Sequence, residues 1–296
     1  MRGSEGQRGK PLRTRRAVLL ASALTGAAVA APRRRLLAER PYRFGLTPVF
    51  LSNDLALLEA LQGYLARALG GEVQLVLKRT YQEITTQLIA GEIDAAWICG
   101  FPFVAYRPRL ELLAVPVWRG QPRYQSYLIA GPEQRGTDID ALRSNTHAFS
   151  DPDSNSGFLV TRALLAERRQ TPEAFFSRTF FTYGHRNVVR AVASGLAQSG
   201  SVDGYVWEVM TETEPELTGR TRVLWRSEWM GFPPVATSLG GLRNARTARL
   251  QSALIAMPGD DLGRRALAFL RLDGFMMAPS NLYQGIADRV ALVGNE

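Results

Sequence analysis

Two α/β lobes built mainly on parallel strands are the architecture this sequence predicts, and three observations carry that reading. From Tyr42 onward, short apolar runs alternate with segments of helical periodicity, as in chains of β-α-β units. After Gly131-Pro132 the alternation starts again, and a second irregular passage lies near Trp229 to Val235. The boundary between lobes is therefore expected to be crossed near Gln125 to Gly131 and again at that passage. Length is the third: 296 residues, 46% hydrophobic and 21% charged, suffice for one large or two medium cores of an ordinary globular chain.

Taken in order, Tyr42 to Thr47 reads as a first strand, broken at Pro48 because proline brings no N–H to a sheet. A polar Ser52-Asn53-Asp54 opens a helix with Leu55, Leu58, Leu61, Leu65 and Leu69 on one face, and Gly70-Gly71 ends it. Val73, Leu75 and Leu77 alternate as a second strand. Tyr81 to Ala90 is a helix with Ile84, Leu88 and Ile89 inward, and Ile93 to Ile98 a third strand. Leu112 to Val117 and Tyr124 to Ala130 are two more, separated by the turn Gly120-Gln121-Pro122. Beyond Asp138 to Leu142 come strand His147-Ala148-Phe149, a polar turn and a helix, then Pro172 to Phe176, strand Thr179 to Tyr183 and helix Val188 to Ser194. Strand Val202 to Val206, a helical turn at Trp207 to Thr211 and strand Arg222 to Arg226 follow. Two helices, one with Leu250, Leu254 and Met257 and one with Leu262, Leu267 and Leu270, precede a last segment Tyr283 to Val293.

The formal charge is +9, but residues 1 to 30 hold six basic groups against Glu5 and so carry +5 of it. No basic stripe interleaved with aromatics follows, which argues against a nucleic-acid partner. The first 30 residues have the form of an export signal: a basic segment to Arg16, an apolar run from Ala17 to Ala31 and the small-x-small Ala28-Val29-Ala30. Thr14-Arg15-Arg16-Ala17-Val18-Leu19 resembles a twin-arginine signal. At 15 residues the apolar run is short of the about 20 that span a bilayer. Export to the periplasm is therefore expected, with the protein soluble or tethered outside the cytoplasmic membrane. Cys99 is the only cysteine, so no intramolecular disulfide and no cysteine-based metal site is expected, and Trp97, Ile98 and Phe101 around it suggest a buried thiol.

The chemistry concentrates in Ser150-Asp151-Pro152-Asp153-Ser154-Asn155-Ser156-Gly157-Phe158. A helix opening on small polar residues and glycine presents free backbone N–H groups, and the macrodipole and the side chains of Ser154, Asn155 and Ser156 add to its attraction for anions. Ordinary capping by the same residues is the alternative.

Four motifs in a shared order resemble the phosphonate and phosphite binding proteins of ABC importers over essentially the whole chain from Tyr42. They are Tyr81-Gln82-Glu83 through Gly91-Glu92-Ile93-Asp94-Ala95-Ala96-Trp97, the strand Tyr124-Gln125-Ser126-Tyr127, the Asp151 to Gly157 loop, and Gly184-His185 ahead of Ala191-Val192-Ala193-Ser194-Gly195. The resemblance implies a two-lobe periplasmic binding protein fold of type II, joined by two crossover hinge strands. Residues 41–126 and 233–296 would form one lobe and 127–232 the other. It implies a small anionic ligand between the lobes, a membrane ABC permease as partner, a monomer, no cofactor and no catalysis. Ser154, Asn155, Ser156 and Gly157 would hold the anionic head group, His185 and Tyr81 would donate to the same oxygens, and Tyr124 and Ser126 would sit at the hinge and pocket wall. Asp203 matches an acidic position that faces the ammonium of amine-bearing phosphonates. Two departures stand out: Phe103 occupies a position where a pocket tyrosine is common, and Gln198-Ser199 stands where a Val-Asp pair is usual. A protein reporting to a membrane sensor, or a binder of a non-phosphorus organic anion, would share these features.

An enzyme is disfavoured. With two histidines and one cysteine, a metal cluster or Cys/His nucleophile would have to be assembled from remote residues. Ser154 and Ser156 lack the Gly-x-Ser-x-Gly elbow, and Gly70-Gly71 follows a helix where a dinucleotide loop would open one.

Overall fold

The computed structural model describes residues 40–48 and 55–294; the expected export signal and the Ser52-Asn53-Asp54 helix start lie outside them. Thirteen strands occur in the described residues. They are β1 (Tyr42–Leu46), β2 (Val73–Leu77), β3 (Ala95–Trp97), β4 (Leu110–Val117), β5 (Arg123–Tyr124), β6 (Ser126–Ala130) and β7 (Thr146–Phe149), followed by β8 (Arg178–Phe181), β9 (Ser199–Asp203), β10 (Arg222–Arg226), β11 (Met230–Gly231), β12 (Val235–Ser238) and β13 (Gly274–Met276). One sheet has the order β13-β4-β12-β3-β1-β2, a second β10-β6-β9-β7-β8, and β5 pairs with β11 alone as a ribbon.

Both sheets are mixed, which corrects the expectation of mainly parallel ones. Parallel pairing joins β1 to β2 and β3, and β7 to β8 and β9, where β-α-β periodicity is plain in the sequence. Parallel neighbours need a crossover long enough for a helix, whereas antiparallel ones do not. The returning chain supplies the antiparallel members: β12 inserts between β3 and β4, β13 adds outside β4, and β6 pairs with β9 and β10.

Helices Leu55–Leu69 and Tyr81–Ile89 stand where their periodicity puts them. The second starts with a capping box, in which the Thr80 side chain accepts the Glu83 N–H and Glu83 reaches back to Thr80, so two orphan donors are satisfied reciprocally. Three expectations shift. The strand expected over Tyr124 to Ala130 is interrupted at Gln125, so its first part serves the ribbon and its second the five-stranded sheet. The helix expected from Val188 begins at His185. The strand expected over Val202 to Val206 ends at Asp203, whose carboxylate accepts the N–H groups of Tyr205 and Val206 and caps helix Gly204–Thr213. The C-terminal helix Gln284–Gly294 packs on both Gly100–Ala105 and Val160–Ala166, and the Arg162 guanidinium donates to the Val293 carbonyl at 3.2 Å. Among the described residues, no helix is long and apolar enough to cross a membrane.

Candidate ligand-binding site

The polar turn after β7 is wound tightly around its own side chains. Asp151 Oδ1 accepts the Asp153 N–H at 2.8 Å, and Ser154 Oγ accepts the Gly157 N–H at 3.0 Å. Ser154 is therefore a helix cap in fact. The chain then makes a π-helical turn, Asn155–Leu159, before the α-helix Val160–Ala166. Such wide turns are uncommon and concentrate at functional positions. From β6, the Ser126 hydroxyl donates to the Ser156 carbonyl at 2.6 Å and fixes the turn from beneath.

Groups from the six-stranded half meet this helix mouth. Tyr81, first residue of its helix and fully buried, donates its N–H to Asp151 Oδ2 at 3.2 Å, and its hydroxyl lies 3.2 Å from His185 Nε2. The tautomer of His185 follows from its other nitrogen. Nδ1 accepts the Asp203 N–H at 3.1 Å, so the neutral ring carries its proton on Nε2 and donates it to Tyr81. That leaves the Tyr81 O–H hydrogen available as a donor. Burial holds His185 neutral, with its pKa lowered to about 3. The turn leading to it is held by Tyr183, a non-glycine residue in the left-handed region at φ 55°.

Asn155 is the most connected member. Its N–H donates to Cys99 Sγ at 3.2 Å, and its side-chain amide donates to the Tyr124 hydroxyl at 2.8 Å and to Met230 Sδ at 3.4 Å. The Ser156 side chain lies within hydrogen-bonding reach of both Tyr124 and Asp203. Burial pushes Asp203 up to about 7, and among the described residues no group of metal-holding His, Cys, Asp or Glu forms here.

The structure thus brings Tyr81, Tyr124, Ser126, Ser154, Asn155, Ser156, Gly157, His185 and Asp203 into one buried cluster. The two departures do not both bear on it. Gln198 accepts the Thr146 N–H just ahead of β9, at the opposite end of that strand from Asp203. Phe103 is buried edge-on against Tyr283, with ring centroids 5.0 Å apart. Sequence reasoning missed Cys99 and Met230 as neighbours of the mouth and left Asp151 between turn former and ligand contact. Asp151 reads equally as a turn former, and the positions of Cys99 and Met230 depend on tertiary pairing that carries no local signal. Ser150 is a further member: its hydroxyl is buried beside Gly157 with no hydrogen-bond partner.

Because Cys99 is the only cysteine, it reports on this cluster alone. Burial raises its thiol to about 12, so alkylation requires the cluster to part. Slow reaction with a maleimide in the native protein and fast reaction in urea are expected; equal rates in both would show the thiol is not enclosed.

Comparison with known proteins places these features in a family. The family model for the ABC transporter, phosphonate, periplasmic substrate-binding protein matches residues 44–283. The phosphate-import protein PhnD of Mycolicibacterium smegmatis is 28% identical over 197 residues, and the chain spans 61% of that relative's length. Among solved structures, a binding protein component of an ABC phosphonate transporter from Pseudomonas aeruginosa superposes with a TM-score of 0.78 at 21% identity, covering 86% of this chain and 87% of that one. The PhnD1 protein of Prochlorococcus marinus in complex with methylphosphonate superposes with a TM-score of 0.76 at 17% identity, covering 86% and 98%. These two share the two-lobe fold, and the family match makes this chain a member of the phosphonate periplasmic substrate-binding proteins of ABC transporters.

Proposed function

We propose that the protein captures a small phosphorus oxyanion, of the phosphonate, phosphite or phosphate type, for delivery to an ABC importer, and catalyses nothing. The observation that carries this reading is the convergence of uncharged donors from both sheets on the helix mouth: Tyr81 from one side, and His185, Asn155 and Ser156 from the other, all buried. Donors fixed in a dry site and a helix N-terminus together favour an oxyanion without a cationic side chain. The names of the relatives point the same way, one to phosphate import and one to methylphosphonate.

In this reading residues 41–126 and 233–296 form one lobe and 127–232 the other, and the β5–β11 ribbon is the hinge between them. Ligand enters the parted cleft, exchanges with contacts such as Asn155 N–H to Cys99 Sγ, and the closed form docks on a permease in the cytoplasmic membrane. The protein works as a monomer in the periplasm.

Thermal-shift screening tests this directly. Phosphate, phosphite or methylphosphonate should raise the melting temperature of the mature protein by the linkage of binding to folding; a shift with only neutral or cationic compounds would overturn the reading. Ser156→Ala should weaken binding by about 1.5–3 kcal/mol, the usual worth of a hydrogen bond to a charged group. Unchanged affinity would return Ser156 to a purely structural role.

A further inference from the structure

The cluster is rich in acceptors for a site that takes an anion. Asp203 and Asp151 are both buried in it. The groups that face Asp203 are Tyr81, Cys99 and Tyr124, His185 beside its backbone, and Tyr205 on its own helix, and Asp151 acts on the same Tyr81 and Cys99. Among the described residues, none of the charged groups acting on Asp203 or Asp151 is an arginine or lysine. A dianion seated beside an ionised, unscreened carboxylate would be repelled at close range in a low dielectric.

A second observation points to a hydrogen brought by the ligand. The Asn155 NH₂ faces both the Tyr124 hydroxyl at 2.8 Å and Met230 Sδ, a weak acceptor, at 3.4 Å. This orientation leaves Asn155 Oδ1 buried with no donor. A buried carbonyl oxygen without a partner is costly, and here a ligand O–H would satisfy it.

We propose that oxyanion binding in this cleft takes up one proton, carried on a ligand oxygen between the Asp203 carboxyl and Asn155 Oδ1, so that the ligand is held in its hydrogen-bearing form. The inference rests on the oxyanion reading above and adds the protonation state that the site selects. No bond other than that to the transferred proton is made or broken, and solvent supplies the proton.

The test is calorimetric titration of the mature protein with inorganic phosphate and with methylphosphonate at pH 8, in two buffers of different ionisation enthalpy. Wild type should take up about one proton per ligand, and above the ligand's second ionisation its Kd should weaken about tenfold per pH unit. Asp203→Asn keeps an oxygen that caps helix Gly204–Thr213, as asparagine caps about as well as aspartate. Its amide now donates to the dianion, so proton uptake should fall toward zero and the pH dependence should flatten. Binding without proton uptake in wild type, or the same uptake in Asp203→Asn, overturns the proposal while leaving the oxyanion reading intact. Absence of binding by either anion at pH 6 and pH 8 overturns both.

Discussion

Gly157→Ala is expected to lose both stability and ligand affinity, although it adds one methyl group. A Cβ at this position would stand 1.8 Å from Ser150 Oγ, 2.7 Å from Ser150 Cβ and 3.0 Å from His185 Cε1. Rotating the serine hydroxyl away removes the first contact and not the second, because Cβ is fixed by the backbone. The helix mouth must therefore move off the end of β7, carrying the Ser156 and Asn155 amides with it. Overpacking of this kind costs about 1–3 kcal/mol, and the same displacement spoils the donor geometry on which the proposed binding rests. Ser150→Ala alone should be nearly neutral, since its hydroxyl makes no hydrogen bond. Combining Ser150→Gly with Gly157→Ala should recover much of the loss, as expected for residues in contact. Urea denaturation of wild type, Gly157→Ala, Ser150→Gly and the double variant checks this, and additive effects would show that the two positions do not collide.

One buried histidine outside the candidate cluster is expected to contribute a whole proton's worth of acid destabilisation. His147 is stacked on Phe176 at 4.1 Å and bonded to the hydroxyls of Ser199 and Ser201 at 2.8 Å each. Burial lowers both His147 and His185 to about 3 from an ordinary 6.5. Between those values the unfolded chain binds two protons that the folded one does not, so stability falls as pH falls, by about 1.4 kcal/mol per pH unit for each histidine. Asp203 acts in the opposite sense: raised from 3.8 to about 7, it favours the folded state at low pH and loses that contribution as pH rises through this window. The net slope is therefore shallower than the histidines alone would give. Comparing wild type with His147→Gln removes that complication, because Asp203 is common to both. The variant's stability should fall less steeply between pH 6.5 and pH 4, by one proton's worth, as read from denaturant midpoints at several pH values. Parallel slopes would show that His147 is protonated in the folded state.

Much of this arrangement is legible in the sequence, and the rest is hidden for identifiable reasons. The first five elements are plain because leucines at helical spacing in Leu55–Leu69 alternate with period-two runs such as Val73–Leu77. The ordered motifs single out Tyr81, Ser154, Asn155, Ser156 and His185 together, and the family resemblance adds Asp203. The antiparallel strands are harder. β12 is only Val-Ala-Thr-Ser behind two prolines and β13 only Gly-Phe-Met, too short to set up a period. β9 is displaced because Ser199, Gly200 and Ser201 are weak strand formers and are held there by neighbouring strands. The π-helical turn at Asn155 has no sequence mark at all. Cys99 and Met230 reach the helix mouth from opposite ends of the chain order, and residue types alone do not reveal such a meeting.

The ribbon has one more consequence. Tyr124 lies on β5 and Met230 on β11, and both are held by the side chain of Asn155. In the proposed movement these two residues belong to the part that turns, and Asn155 to the part that grips. Changing either one alters the fit to cargo and the swing of the jaws in a single step. Evolution toward a new nutrient has no independent control of taste and travel at those positions. Tyr81 and Cys99 lie outside the ribbon, and there preference is free to drift without resetting the hinge.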